Sequence, residues 1–264
     1  MAAETGEMRA RRRHRRALFD GVADRYRASR RGYPPASVRF IIDTARLGPG
    51  SAVLEVGCGT GQLTGQLAAH GLAVTAIDIG AAMITAARQH LGGSPVSLEV
   101  VSFEELDAPE GSFDLIVSAT AFHWLDPDVK FAKAARLLKA GGWLALLDTE
   151  ERYDDPLGAD LRDMWAARTG HGDVRAGQRR PPAADLTGAA GLFGPAIERS
   201  HSQRIVLWAE TVIGVETTRA TFLSWPEHTR QDFAGDLRRH LRHCADVHLT
   251  QQTSLAMAQV LPRT

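Results

Sequence analysis

The sequence is short of several things, and each shortage excludes something. Two cysteines in 264 residues, Cys58 and Cys244, leave no disulfide framework and no CxxC metal or redox motif. Long apolar runs are missing as well. The longest charge-free stretch, 56–77, is broken by five glycines and by Gln, Thr and His, which excludes a membrane span. A secretory pattern is missing too, because the N-terminal arginines run into Ala17-Leu18-Phe19-Asp20 and not into an apolar segment. A cytoplasmic location follows by default. Charge of one sign is also lacking: 31 Lys plus Arg stand against 31 Asp plus Glu, which argues against a general polyanion binder. The 44% hydrophobic and 23% charged fractions are those of an ordinary globular chain, and they exclude a wholly disordered or collagen-like one.

The zero net charge is a cancellation between neighbouring blocks. Residues 1–50 hold 12 basic and 5 acidic residues, a net +7, and 51–150 hold 5 and 12, a net −7; 151–264 balance at 14 each. Six arginines fall within residues 9–16. Such a run is expected to be a solvated, disordered tail over 1–16, with 17–264 forming a single domain.

Within that domain the pattern alternates short apolar runs with helical stretches. Strands are expected at 52–56, 73–77, 96–101, 113–117 and 143–147, and helices at 62–70, 81–91 and from Asp126-Pro127 to Lys139. This alternation predicts a parallel sheet covered on both faces. Flanking it, 17–48 reads as a helical cover broken at Gly32-Tyr33-Pro34-Pro35, 51–148 as the core, and 149–264 as lid elements and last strands. In that last part a helix is expected near 160–168, a mobile loop over 170–182, a strand at 197–207, a helical stretch at 211–246 broken at Pro226, and a final strand at 247–260.

The chemistry is concentrated where the first strand feeds Gly57-Cys58-Gly59-Thr60-Gly61 and then a helix. Glycines let backbone approach a ligand closely, and the free amides of a helix start point at it. A dinucleotide site uses the same device, but with the spacing GxGxxG, which would need glycine at Gln62. Glu55 stands two residues before the loop, and Asp78 ends the second strand, where a carboxylate can accept both hydroxyls of a ribose.

These residues resemble class I S-adenosylmethionine-dependent methyltransferases. The resemblance covers about residues 19–147 and is carried by the stretch 53–61, by Asp78, by Gly111-Ser112-Phe113-Asp114-Leu115-Ile116 and by Leu137-Leu138-Lys139-Ala140-Gly141-Gly142. Ala121-Phe122-His123-Trp124-Leu125-Asp126-Pro127 is similar to the branch of quinone-biosynthesis C-methyltransferases and trans-aconitate-type methyltransferases. The resemblance implies an α/β fold: a doubly wound, mostly parallel seven-stranded sheet with helices on both faces, Rossmann-like, under a helical lid. It also implies S-adenosylmethionine as cofactor, with S-adenosylhomocysteine as product. Gly57, Cys58, Gly59, Thr60 and Gly61 would line its methionine half, Glu55 would organise the loop, and Asp78 would meet the ribose. Ile79 and Met83 would flank the adenine. Ser102, Phe103 and Glu104 occupy the adenine-edge loop, Ser102 standing where aspartate is common, and Ala119 and Tyr33 complete the cofactor set.

Methyl transfer from a sulfonium needs orientation and exclusion of water more than acid–base machinery. His123, after the fourth strand, is the candidate general base for a phenol, amine or enol acceptor. Tyr26, Arg30, His123, Trp124 and Trp225 are the candidate substrate contacts, with Trp208 and Arg27 as further members of the lid and cover. Plainer roles stay open for several: Met83 and the tryptophans as core, Tyr33 as loop packing, the arginines as solvated, His123 as a structural histidine. His240, Cys244 and His248 would spread about 12 Å along a helix, too far for one ion, so no metal is expected. The expected function is methylation of a small molecule on O, N or C in specialised metabolism, by a monomer or homodimer without a membrane partner. Two alternatives stand beside it: a fold repurposed for other ring chemistry or binding, and a nucleic-acid methyltransferase. The residues after strand four lack the Asn/Asp-Pro-Pro-aromatic signature of the latter.

Overall fold

The computed structural model describes residues 18–154, 156–170, 182–186, 189, 191–244 and 246–262. The arginine-rich tail over 1–16 and most of the expected loop at 170–182 lie outside the described residues.

Seven strands form one sheet: β1 (Ala52–Val56), β2 (Ala73–Asp78), β3 (Ser97–Val100), β4 (Phe113–Ala119), β5 (Leu138–Tyr153), β6 (Ile197–Leu207) and β7 (Val247–Gln259). Their order is β3-β2-β1-β4-β5-β7-β6. The first five are parallel, and β7 runs antiparallel to both neighbours, β5 and β6. This is the doubly wound, mostly parallel sheet expected of the methyltransferase resemblance.

Around it lie α1 (Ala23–Ser29), α2 (Pro35–Ala45), α3 (Gln62–Ala68), α4 (Ala81–Leu91), α5 (Lys130–Leu137), α6 (Leu157–Thr169), α7 (Pro182–Leu186), α8 (Ala209–Thr217), α9 (Ala220–Leu223) and α10 (Glu227–Leu241). Strand alternation sorts the core. Val53, Leu115, Val117, Ala145 and Met257 pack against α2, α3 and α4, while Leu54, Ile116, Leu144 and Ala258 pack against α5 and α7. A third apolar cluster joins α6 and α8–α10 to the far halves of β5, β6 and β7, through Trp165, Val212, Phe233, Leu207 and Leu249. The segment expected as a lid is therefore built on an extension of the sheet.

That extension is the main departure from the sequence pattern. β5 was expected to be five residues long but has 16, because polar Glu150, Glu151 and Arg152 pair with Gln252, Gln251 and Thr250 of β7. A strand covered on one face only need not read as apolar. α5 begins at Lys130 and not at Asp126, since Asp126 forms a turn in which its Oδ1 accepts the Asp128 amide at 3.0 Å. It stops at Leu137, where Leu138 enters the ladder opposite Phe113. The stretch 211–246 divides into α8, α9 and α10, with Pro226 as the N-cap of α10.

Candidate active site

The loops at the carboxyl ends of β1, β2 and β4 converge where a doubly wound sheet binds ligands. Gly57, Gly59 and Gly61 all adopt positive φ, at 73°, 55° and 86°. A side chain at Gly57 is impossible without rearrangement, because its Cβ would stand 2.4 Å from that of Ala121. At Gly59 the same atom would meet nothing within 4 Å, so this glycine faces open space. The Gly57 and Cys58 amides both donate to the Ile77 carbonyl, tying the loop to β2.

Asp78 fixes the loop further. Its Oδ2 accepts the Gly59 amide and its Oδ1 the Gly80 amide, each at 2.9 Å. Burial pushes its carboxyl up, and the two amide bonds oppose that shift. Glu55 is 2% exposed, and its Oε2 accepts the Thr64 hydroxyl at 2.6 Å. Burial pushes Glu55 up to about 8, against the Thr64 bond and with help from nearby Asp78. Cys58 is buried, and burial raises its thiol, so it stays neutral packing. Thr60 is fully buried, its hydroxyl bonded to Gln62 Oε1 at 2.9 Å.

The N-terminal segment closes over this edge. Gln66 on α3 clamps the Tyr33 backbone from both sides, accepting its amide at 2.9 Å and donating to its carbonyl at 2.8 Å. Burial raises the Tyr33 phenol, the Tyr26 and Glu55 charges add to the rise, and a hydrogen bond with Thr120 opposes it. The Tyr33 phenol is thus held protonated. Thr120 itself holds φ 56°, a rare conformation for a branched residue at the end of β4. Asp20 accepts the Ala82 and Met83 amides at 2.6 and 3.3 Å, so the cover also caps α4.

The other expected residues fall in distinct places. Met83 is buried with Ala23 and Ala86 beside Tyr26, under the cover, and Ile79 follows β2 half-buried. Phe103 is buried in the core, the Ser102 hydroxyl donates to Glu105, and Glu104 Oε1 accepts the Asp126 amide. Ala119 ends β4 and is buried. His123 sits exposed in the turn Phe122–Trp124, its ring 4.8 Å from that of Trp124. Tyr26 lies against Phe19, with the Arg30 guanidinium 5.1 Å from its ring.

Two candidates sit in the framework of the lid. Arg30 bonds to Glu151 Oε2 at 3.4 Å, to the Val215 carbonyl at 3.2 Å and to Thr218 Oγ1 at 3.3 Å, joining cover to lid. Trp225 packs in an aromatic cluster with Trp165, Phe222 and Phe233. Trp208 is 74% exposed beside the end of β6. A cavity of about 500 Å³ opens between α1 and α4, lined by Asp20, Arg25, Thr85 and Gln89, and includes none of the glycine-loop residues. No group of three or more metal-ligating side chains occurs among the described residues, and no described helix is long and apolar enough to cross a membrane.

Known proteins share this arrangement. A family model described as a methyltransferase domain matches residues 54–146. An uncharacterized methyltransferase of Geobacillus sp. (strain WCH70) is 35% identical over 144 residues, 51% of this chain and 67% of that protein. The chain belongs to the class I methyltransferase family. A ubiquinone biosynthesis O-methyltransferase of Thiobacillus denitrificans is 38% identical over 114 residues, 42% of this chain and 49% of that protein. That relative is named for quinone biosynthesis, as an O-methyltransferase, where the sequence resembles the C-methyltransferases of quinone biosynthesis. A candidate type II methyltransferase from Anaeromyxobacter dehalogenans superposes with a TM-score of 0.63 at 23% identity, covering 89% of this chain and 99% of that one. The chain spans about half the length of the curated relatives it matches first.

Thr64, Gln66, Thr120 and Ala121 carry no sequence signal for the site they build. They act by contact with Glu55, Tyr33 and Gly57, and those contacts exist only once β1, α3 and β4 are assembled.

Proposed function

We propose that the chain transfers a methyl group from S-adenosylmethionine to a small-molecule acceptor, within specialised metabolism. One observation carries this reading: a loop of three left-handed glycines is pinned by Asp78, and Gly59 faces open space where a side chain would otherwise stand. S-adenosylmethionine, when bound, supplies a methyl already activated on a sulfonium.

In this reading Asp78 holds the ribose. The amides of Gly59 and Gly80, with that of Ile79 beside them, hold the carboxylate in place, and its remaining lone-pair capacity is assigned to the hydroxyls. Glu55 holds the loop in shape through Thr64, and Gly57, Cys58, Gly59, Thr60 and Gly61 bound the methionine half. Ile79 and Met83 flank the adenine. Ser102 and Glu104 have their side chains engaged by Glu105 and Asp126, so the Phe103 backbone serves the adenine edge. Tyr33 and Ala119 exclude water from above and below.

On the acceptor side, substrate contact is assigned in this reading to Tyr26, Trp124 and His123. His123 takes the proton of a phenol, amine or enol carbon, and a carboxylate acceptor needs no such step. Arg30 and Trp225 act from behind, as latch and wall of the lid. The test is incubation with S-adenosylmethionine and a panel of phenols, amines and carboxylic acids, with S-adenosylhomocysteine measured by mass spectrometry. Product with one acceptor class supports the reading. Binding of NADH with no binding of S-adenosylmethionine overturns it.

A further inference from the structure

We propose that two copies of this chain associate edge to edge through β6, in an antiparallel pairing centred on His201 and its counterpart. Among the described residues β6 ends the sheet and pairs with β7 alone, so its outer row of backbone groups is an open edge, which a strand of another chain can complete. Eleven residues is long for an exposed edge; it contains no proline or lysine, and its charged side chains are Glu198, Arg199 and Arg204. One face of the strand is covered by α2, through His201 Nδ1 with Ser37 Oγ at 3.1 Å and Arg199 over the Phe40 ring. The edge is thus held straight and presented.

Two features choose a second copy as the occupant. The first is apolar. Among the described residues, the exposed large hydrophobic side chains are Val100, Leu192, Ile197, Val206, Trp208 and Leu261, and all but Val100 lie on β6 or just beyond its ends. Leu192 and Leu261 flank the start of the strand, joined by the Leu261 amide on the Leu192 carbonyl, and Trp208 follows its end. The second is charge: Glu198 lies near one end and Arg204 near the other, both exposed on the face away from α2.

A twofold axis through His201 makes these features meet. In an antiparallel pair centred there, residue numbers opposite each other sum to 402. Glu198 of each copy then lies opposite Arg204 of the other, and Ile197 opposite Ile205. Trp208 falls opposite Gly194, beside Leu192 and Leu261 of the other copy. The charged pair and the tryptophan contact each occur twice, as an isologous interface requires. Arg204 bonds Asp154, just past the end of β5 and two strands in from the edge, at 2.5 Å, so to meet Glu198 of the other copy its guanidinium must share its remaining donors or turn outward.

The register is what the experiment reads. Sedimentation velocity of the full chain at micromolar concentration is expected to show a mass near twice 28.6 kDa. Glu198→Arg places like charges opposite each other at two positions and is expected to raise the dissociation constant about tenfold. Arg204→Glu is expected to do the same, and the double variant, Glu198→Arg with Arg204→Glu, to restore the dimer. Trp208→Ala is expected to weaken association at least as much as either charge reversal. An unchanged thermal transition in Glu198→Arg shows that the variant is folded. A monomeric wild type overturns the proposal, and so does a dimer indifferent to Glu198→Arg. A dimer lost in both single variants and not regained in the double one overturns the His201 register.

Discussion

The cofactor-side half of the molecule and the lid half both bury a carboxylate, and they treat it in opposite ways. Glu55 is 2% exposed with one side-chain partner, the Thr64 hydroxyl, and burial drives its carboxyl up to about 8. Glu216 is 1% exposed and saturated: it accepts Tyr153 Oη at 2.9 Å, Trp165 Nε1 at 2.8 Å, and Arg219 Nε and Nη2 at 2.7 and 2.5 Å. A buried carboxylate with its full set of donors keeps its charge and locks the framework, whereas Glu55, with the Thr64 hydroxyl as its partner at the carboxyl end of β1, is pushed toward its neutral form.

The lid side of this contrast gives the largest effect. Glu216→Ala leaves the Arg219 guanidinium buried without its carboxylate, and it should cost about 3 to 5 kcal/mol of stability, read as a lowered thermal transition. A loss below about 1 kcal/mol would place the pair in effective contact with solvent and erase the contrast.

On the cofactor side, Gly57→Ala combines a left-handed backbone with a Cβ 2.4 Å from Ala121 and should cost roughly 3 kcal/mol. Gly92→Ala, also at positive φ but with nothing within 4 Å, should cost only about 1 kcal/mol. Equal costs in the two variants, measured by chemical denaturation, would show that the Ala121 contact has no influence on the loop.

A further effect is a pH slope, small at any one pH and spread over several units. The Glu55 carboxyl titrates higher when folded than its ordinary value, so its contribution to stability is complete below about 4.5 and is lost as pH rises toward about 8. The limiting slope for one proton is about 1.4 kcal/mol per pH unit. Glu55→Gln should flatten the curve in that window, and a slope that survives the substitution belongs to another group.

Local chemistry explains which parts of this molecule are legible in the sequence. β1, α4 and the glycine loop follow from an apolar run, a Gly92 cap and a glycine triplet, all features of neighbouring residues. The extension of β5 to Tyr153 is not legible that way, since its polar Glu150, Glu151 and Arg152 are justified only by pairing with Gln252, Gln251 and Thr250 of β7, far along the chain. Arg30 shows the same limit. Its charge suggests a ligand carboxylate, but its partners, Glu151, Val215 and Thr218, come from two distant elements. Trp225 reads equally as pocket or core until Trp165 and Phe233 are placed around it.

Calorimetric titration of S-adenosylmethionine into the wild type and Asp78→Ala tests the account most directly. One saturable site is expected in the wild type, and an affinity lower by roughly 10- to 100-fold in the variant, as loss of charge-assisted hydrogen bonds predicts. Equal affinity in the two proteins, or no binding to the wild type, would contradict the placement of the cofactor on the Asp78-pinned glycine loop.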